Sequence, residues 1–494
     1  MKSARRVLFA NTINTLDEYL ARRGGEGLEA ARKVDPMVLI ETLEASGLRG
    51  RGGAGFPTGR KWRTLVENRS TAEPTTVVVN GAEGEPGTFK DRSILRKNPY
   101  HVMEGALIAA RAVGADQVVF GLKRAFIPEV TRMRAAIAEA EASGWAGDVG
   151  LEIYEGPHEY LYGEETALLE AIDGRYPFPR LAPPFRRGVR PAAERHAGGL
   201  PGLVSAAQVE LAGPSEEKLA PPALVDNVET LANVPRIMAR GASWFRTVGT
   251  EESPGTITCT VTGSTRRHGV DEVIMGTPLR DVIEGIGGGA RPGRRIKAVL
   301  PGVANGLIPE ELLDAPTCYE GLAAIGSGLG SAGFIVLDDT VDLVAVAAGV
   351  SRFLGVESCG QCMPCKRGGL KISDHLRQLA MSEANDRTFA AIEEGASTVS
   401  DQARCYLAHQ HQVVLQSVLE RFPGELTAHL SGQAAEAEPY LVAELVDIVD
   451  GVATLDEHFR DKQPDWTFDE DFSGKLPADT LGQGRYGDWT FKAP

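Results

Sequence analysis

Residues 77–92 read VVVNGAEGEPGTFKDR, a run of three valines that leads directly into a glycine-rich, acidic loop. The sequence after it alternates helix and strand patterns, with a helix near 93–113, a strand at 117–121, a helix near 128–142, a strand at 151–154 and a helix from 163. This alternation predicts a doubly wound parallel sheet. Because ligands of such sheets bind beyond the carboxyl ends of the strands, the loops that begin at Asn80 and Glu155 are the expected binding loops.

Two regions of different character follow this α/β pattern. Short Thr- and Val-rich runs between Thr256 and Leu337 surround one amphipathic stretch, TPLRDVIEGIGG, which predicts a small β-rich domain with one helix. From Leu343 to Phe422 the apolar residues recur near helical spacing. We therefore predict four parts, which are an α/β domain at 1–250, a β-rich domain at 251–337, a helical bundle at 338–430 and an acidic extension at 431–494.

The bulk properties are those of a globular protein. The 494 residues are 43% hydrophobic and 24% charged, and the net charge of −15 argues against nucleic acid as a partner. The start at Met1 lacks the compact apolar segment of a leader, and the longest apolar stretch, 334–350, is interrupted by aspartates, so we expect a cytoplasmic protein without membrane insertion.

Four cysteines form the most specific motif. Three of them stand at every third position in ESCGQCMPCKRG and the fourth follows forty positions later: Cys359, Cys362, Cys365 and Cys405. A 4Fe–4S cluster needs four thiolates, and a C-x-x-C-x-x-C loop reaches three corners while a distant residue supplies the fourth. Zinc is the main alternative, although structural zinc sites usually present two separated pairs, and free thiols are another. His409 and His411 could join a Cys/His site or be solvated or interhelix histidines.

A second glycine loop, GLRGRGGAGFPTGRKW, spans residues 47–62. Its core satisfies G-x-G-x-x-G, but a helical pattern precedes it and Pro57 follows it, whereas a dinucleotide fingerprint follows a strand and opens a helix. It is therefore interpreted as a loop whose backbone N–H groups close on a phosphate, which Arg51, Arg60 and Lys61 neutralise; a plain flexible loop is the alternative.

The loop after the first strand carries two carboxylates, Glu83 and Glu85, which would repel a bare phosphate and accept hydrogen bonds from ribose hydroxyls or a carboxamide. The loop after the third strand contains Tyr160 and the run Gly163-Glu164-Glu165-Thr166. Those two glutamates fall in the first turn of a helix, so helix capping alone would also explain them.

Taken in order, these loops, the segments YLYGEETALL and VDNVETLANV, and the cysteine set resemble the NADH-binding subunit of respiratory complex I that carries FMN and a 4Fe–4S cluster (its F subunit), and its relatives in soluble NAD-dependent hydrogenases and formate dehydrogenases. The resemblance covers about residues 39–422. It implies a Rossmann-like FMN domain, a β-grasp-like insert domain and a C-terminal helical bundle carrying the cluster. It also implies an iron–sulfur partner subunit, expected to be a thioredoxin-like 2Fe–2S protein, and further oxidoreductase subunits.

By position, the resemblance implies two sets of cofactor contacts. For FMN these are Gly50, Arg51, Gly52, Lys61, Asn80, Glu83, Tyr160, Gly163, Glu164, Asn227 and Thr230, and for NADH they are Phe56, Glu85 and Glu165. The chain departs from the family at Ala82, usually an aspartate facing the flavin, at Asp226, usually an asparagine, and at Thr64, usually an aromatic residue. Phe185 is noted as a second ring able to stack on a cofactor.

The implied function is electron transfer. The chain would pass hydride between NAD(H) and FMN and single electrons between FMN and the cluster, and no catalytic side chain is expected because the cofactors supply the chemistry. Cys259 and Cys318 are too few for a second cluster, so the next carrier would be another chain. The alternative is a scaffold subunit that keeps the fold but has lost nucleotide turnover.

The extension at 431–494 carries 14 acidic and 5 basic residues and repeats Asp-Trp-Thr-Phe at 465–468 and 488–491. It is either a disordered tail or an arm whose aromatic residues anchor on another subunit. We expect an assembly element whose deletion spares the catalytic core.

Overall fold

The computed structural model describes residues 5–69, 75–192, 195 and 220–480. A four-stranded parallel sheet organises the α/β domain in the order β3-β2-β1-β4. Its strands are β1 (Thr75–Gly81), β2 (Ala115–Lys123), β3 (Gly150–Gly156) and β4 (Ala223–Asn227). The predicted doubly wound arrangement is confirmed, and each predicted strand extends by one or more residues at either end. The sequence did not predict β4.

Helices cover both faces of this sheet. They are α1 (Leu16–Ala21), α2 (Glu26–Arg32), α3 (Pro36–Ser46), α4 (Thr58–Asn68), α5 (Lys90–Lys97), α6 (Pro99–Val113), α7 (Ile127–Ala142), α8 (Glu165–Ile172), α9 (Val228–Arg240) and α10 (Ala242–Phe245). Helix α6 is buried almost throughout because it packs against β1 and β2 on one side and α2 and α9 on the other. A β-carbon at Gly105 would lie only 2.0 Å from the carbonyl oxygen of Leu231, so glycine lets α6 and α9 approach this closely.

The β-rich region forms a mixed five-stranded sheet in the order β6-β5-β9-β7-β8. Its strands are β5 (Thr256–Gly263), β6 (Gly269–Ile274), β7 (Ile296–Leu300), β8 (Ile308–Pro309) and β9 (Gly333–Asp338). The predicted helix is present as α11 (Leu279–Val282), which continues as a π turn to Gly287. A second helix, α12 (Tyr319–Ala324), was not predicted.

The predicted helical region is confirmed. It contains α13 (Leu343–Glu357), α14 (Gly369–Ala380), α15 (Asp386–Thr398), α16 (Leu407–Arg421) and α17 (Pro423–Leu430). Helices α13 to α16 bury one continuous apolar core that also receives Leu161 and Phe178 from the α/β domain. None of the described helices has the length and apolarity needed to cross a membrane.

Residues 431–480, here called the C-terminal strap, return over the rest of the protein and include a hairpin of β10 (Leu445–Val449) and β11 (Val452–Leu455). The position of the strap contradicts the predicted arm, whose aromatic residues were expected to anchor on another subunit. Trp466 is only 8% exposed, its indole Nε1 donates to the carbonyl of Val356 at 2.9 Å, and its ring lies 5.7 Å from that of Phe178. The first Asp-Trp-Thr-Phe unit therefore completes this chain's own core; the second lies outside the described residues.

The burial of Trp466 predicts that this residue contributes to the stability of the fold. Trp466→Ala should lower the free energy of unfolding by about 3 kcal/mol, because it empties a buried aromatic site and removes a buried hydrogen bond. Phe468 belongs to the same unit but is 48% exposed, so Phe468→Ala should cost less than about 1 kcal/mol. Urea unfolding followed by circular dichroism measures both. Equal losses in the two variants would contradict the structural role of the strap.

Candidate cofactor sites

The four predicted cluster ligands line a single cavity: Cys359, Cys362, Cys365 and Cys405. The first follows the end of α13, the third lies in a π turn that leads into α14, and the last precedes α16. All four are free thiols, and burial raises the pKa of Cys365 to about 12. Four unpaired sulfurs around one cavity fit an iron–sulfur cluster, since bound iron replaces the thiol protons and offsets the burial of negative charge.

The histidines after Cys405 lie outside this cavity. His411 is buried between α13 and α16, where its Nε2 lies 2.8 Å from the hydroxyl of Ser351, and burial lowers its pKa to about 4. His409 is exposed beside the ring of Tyr406. The interpretation as interhelix and solvated histidines is confirmed.

The three predicted binding loops meet at the carboxyl edge of the parallel sheet. Asn80 on β1 and Asn227 on β4 stand opposite each other in the strand register. The amide nitrogen of Asn80 donates to the carbonyl of Gly163 at 2.8 Å, which ties β1 to the 3₁₀ turn Tyr160–Gly163. These contacts join residues far apart in sequence at one edge of the sheet.

The glycine loop closes the same edge from the other side. The backbone N–H of Arg51 donates to the hydroxyl of Thr230 at 2.8 Å, and a β-carbon at Gly52 would lie 3.2 Å from that of Asn227. At Gly53, with φ of +132°, the nearest neighbour of an added β-carbon would be a backbone atom 4.0 Å away, so the loop presents bare backbone to open space. A loop of this kind can approach a phosphate closely.

Lys61 places an ammonium group at this edge of the sheet. Its Nζ donates to Glu165 at 2.9 Å and to the carbonyl of Val225 at 2.6 Å, and its side chain stays 30% exposed. Asp226, next in sequence, accepts a hydrogen bond from the indole of Trp62 at 2.7 Å, and burial raises its pKa to about 6. The carboxyl of Asp226 is therefore anchored to α4.

Two predicted side-chain roles need correction. The guanidinium of Arg51 is fully buried and donates to the carbonyls of Arg49, Pro254 and Thr256, because the loop turns it toward the β-rich domain. It therefore does not neutralise a phosphate, and the backbone N–H of Arg51 is bound to the hydroxyl of Thr230.

The Glu83 carboxylate is also engaged elsewhere. It accepts from the backbone N–H of Asp91 at 2.9 Å and from the guanidinium of Arg92 at 2.9 Å, and it is buried with both. The predicted hydrogen bonds to a ribose or carboxamide are replaced by a cap on the first turn of α5.

Tyr160 connects the sheet edge to the other two regions. Its hydroxyl donates to Glu85, lies 3.3 Å from the amide oxygen of Gln410 on α16, and its ring meets that of Phe353 at 5.3 Å. The second Glu85 oxygen accepts from the backbone N–H of Val303 at 2.6 Å. Burial raises the pKa of Glu85 to about 7.

The remaining predicted contacts differ in exposure. Glu164 is the N-cap of α8 and accepts from the backbone N–H groups of Thr166 and Ala167, which confirms the capping interpretation. Phe56 is 46% exposed, and the guanidinium carbon of Arg60 lies 5.9 Å from the centre of its ring. Phe185 packs against the core of the α/β domain.

Sequence reasoning missed a buried charge cluster beneath Asn227. The Lys90 ammonium lies 2.8 Å from Asp91, 3.1 Å from Glu229 and 3.1 Å from the amide oxygen of Asn227. The amide nitrogen of Asn227 donates to Asp91 at 2.7 Å, so the cluster fixes which way this amide points. The only signal was the Lys-Asp-Arg run at 90–92, directly after the acidic loop that follows β1, and this run resembles the start of an ordinary solvated helix.

Glu85 makes stability depend on pH. A carboxyl whose pKa rises from 4.5 to about 7 on folding favours the folded state when protonated, and this advantage is lost as the pH rises through that interval. At about pH 8, the free energy of unfolding of Glu85→Gln should therefore exceed that of the parent by roughly 2 kcal/mol, a value reduced to allow for the partial exposure of Glu85. At about pH 5 the two proteins should differ little. Thermal unfolding at both pH values tests this. The exposed Glu311→Gln is the control, and a parallel pH response in Glu85→Gln and parent would refute it.

Two family descriptions match the chain. The Nuo51 FMN-binding domain matches residues 43–236, and the NADH-ubiquinone oxidoreductase-F iron–sulfur binding region matches residues 345–429. The first range contains the loops at the sheet edge, and the second contains the four cysteines. The FMN and 4Fe–4S cofactors that the resemblance implied are thereby confirmed.

Whole-length relatives agree with these matches. An F subunit of the NADH-quinone oxidoreductase of Rhizobium meliloti is 36% identical over 420 residues, covering 82% of this chain and 93% of that protein. The corresponding F subunit of Streptomyces coelicolor is 34% identical, covering 86% and 90%. The crystal structure of an NAD+-reducing [NiFe]-hydrogenase in the H2-reduced state superposes with a TM-score of 0.71 at 30% identity, over 85% of this chain and 67% of that one. The chain therefore belongs to the family of NADH-quinone oxidoreductase F subunits.

Proposed function

We propose that the carboxyl edge of the parallel sheet holds FMN, that the four cysteines hold the 4Fe–4S cluster, and that the chain transfers electrons between NAD(H) and a partner through these two groups. One observation carries this proposal. The 3₁₀ turn Tyr160–Gly163 belongs to both sites, because Gly163 accepts from Asn80 at the sheet edge while Leu161 lines the cysteine cavity. When bound, the flavin accepts two electrons as hydride and releases them singly, which is the chemistry such a pair of sites requires.

The residues of the sheet edge fit FMN. The Gly50–Gly52 loop, which is exposed at Gly52, and the Lys61 ammonium would hold the phosphate, while Asn80, Asn227 and Thr230 would orient the remainder. The Lys90 cluster keeps the Asn227 amide in one orientation, so part of the ordering cost of binding is already met by the fold.

NAD(H) would bind outside the flavin. The exposed Phe56 ring offers a stacking surface, and Glu165, 41% exposed and paired with Lys61, would accept hydrogen bonds from a ribose. Two positions at which the chain differs from the family pattern do not disrupt the site. Ala82 is buried against the backbone of Gly163, and the hydroxyl of Thr64 donates to the carbonyl of Arg60. The enzyme is thus favoured over a scaffold subunit.

The chain would work as one subunit of a larger oxidoreductase in the cytoplasm. Cys259 and Cys318 are both buried in the core of the β-rich region, which supports passing electrons from the cluster to a separate chain. We propose a thioredoxin-like 2Fe–2S protein as that chain. The six free cysteines support a reducing compartment.

The cluster assignment predicts a specific loss. Cys405→Ala should remove the cluster or convert it to a three-iron form, because three thiolates cannot complete the cube. Iron content and the EPR spectrum of the reduced protein measure this. Cys259→Ala is the matched control, because that thiol is buried in β5 away from the cavity, and should leave the spectrum unchanged. An unaltered cluster in Cys405→Ala would remove the central assignment.

The Glu165 assignment predicts a change in coenzyme preference. A carboxylate beside the ribose repels a 2′-phosphate, whereas Gln keeps the hydrogen bond to Lys61 and frees its positive charge. Glu165→Gln should raise the NADPH to NADH ratio of kcat/KM by roughly three- to tenfold. The control is Glu155→Gln at the end of β3, where the carboxylate pairs with Arg134. If the ratio stays constant in Glu165→Gln, another residue selects the coenzyme.

A further inference from the structure

The C-terminal strap places a lysine directly behind the cluster-binding turn. The Nζ of Lys462 lies 2.6 Å from one carboxylate oxygen of Glu357, and each side chain is only 3% exposed. Glu357 is the last residue of α13, two positions before Cys359. The matched iron–sulfur region ends at residue 429, so the strap residue lies beyond it.

The same ion pair reaches the flavin side. The second oxygen of Glu357 accepts the backbone N–H of Tyr160 at 3.0 Å. Tyr160 opens the 3₁₀ turn that the two proposed sites share. The Glu357–Lys462 pair therefore stands where the sheet edge, the cluster helix and the strap come together.

Further strap contacts hold this arrangement in place. Trp466 donates to the carbonyl of Val356, which also accepts from Lys366 at 2.9 Å. At the cluster turn itself, the backbone N–H of Ala478 donates to the carbonyl of Cys359 at 2.8 Å. A β-carbon at Gly360, whose φ is +89°, would lie 2.9 Å from the side chain of Leu476. The strap thus covers the turn that supplies the first cysteine.

The burial of the Glu357–Lys462 pair determines its electrostatic effect on the cluster. Water screens exposed charges effectively, but it reaches neither Glu357 nor Lys462, so removing one partner leaves an uncompensated charge in a low-dielectric region. A negative charge close to a cluster opposes the arrival of an electron, and a positive charge favours it. Together the two groups are nearly neutral.

We propose that Lys462 is a positioning residue for electron transfer, which cancels the charge of Glu357 and thereby sets the reduction potential of the cluster while the strap shields the Cys359 turn. The proposal rests on the assignment of the cluster to the four cysteines.

The test is a charge cycle on the holoprotein, with the midpoint potential of the cluster measured by EPR-monitored redox titration. Lys462→Met should shift the potential to more negative values, and Glu357→Gln should shift it to more positive values. The double variant should return close to the parent, because neither charge remains. The neighbouring Lys366 and the buried Lys123–Glu444 pair are the same in all forms.

Two controls separate charge from packing. Lys462→Arg keeps the charge and should keep the potential near that of the parent. Lys475→Met makes the same substitution at an exposed strap lysine and should shift the potential far less, because water screens that position. If Lys462→Met does not bind a cluster, Glu357→Gln alone tests the proposal, which requires the potential of that variant to shift to more positive values.

Unchanged potentials in both single variants, or shifts of the same sign, would overturn the proposal. The underlying cluster assignment fails in a different way, through an unaltered EPR spectrum in Cys405→Ala. A spectrum lost in Cys405→Ala together with potentials unmoved in Lys462→Met and Glu357→Gln would reject the role of Lys462 alone.

Discussion

The structure depends on a single short turn, Tyr160–Gly163, that is held at both ends. At one end the carbonyl of Gly163 accepts from Asn80 on β1, and at the other the backbone N–H of Tyr160 donates to Glu357 at the end of α13. The turn therefore sets the separation between the sheet edge and the cysteine cavity. Electron transfer between two bound groups requires a fixed, short separation. The two hydrogen bonds fix this separation because each ties the turn to a different region of the protein.

The sequence predicted the features that arise locally. The alternation of strand and helix patterns, the helical region after Leu343 and the run of three cysteines all follow from short-range spacing, and each is present. Contacts across long sequence separations were not accessible. Strand β4 is only five residues long, and its partner β1 lies about 150 residues earlier, so nothing local marks it as the fourth strand. The Arg51 side chain was misjudged for the same reason, since its carbonyl partners lie about 200 residues away at Pro254 and Thr256.

The strap shows why composition alone misled. A strongly acidic segment with interspersed Pro and Gly was not expected to form a core of its own, and such a composition often indicates disorder. Here Val442, Phe459 and Trp466, which are spaced along the strap, pack into the core of the helical bundle. The strap is therefore packed on the core that it completes and does not form a core of its own.

The strap also contributes charge in a definite pattern. It supplies the anion of one buried pair, Glu444 with Lys123, and the cation of another, Lys462 with Glu357. In both cases the partner belongs to a region that borders a proposed cofactor site. Burying an unpaired charge would cost several kcal/mol, so docking of the strap and neutralisation of these groups are energetically one event. In a chain that carries fifteen net negative charges, these two pairs allow Glu357 and Glu444 to be buried near the proposed cofactor sites without leaving an uncompensated charge.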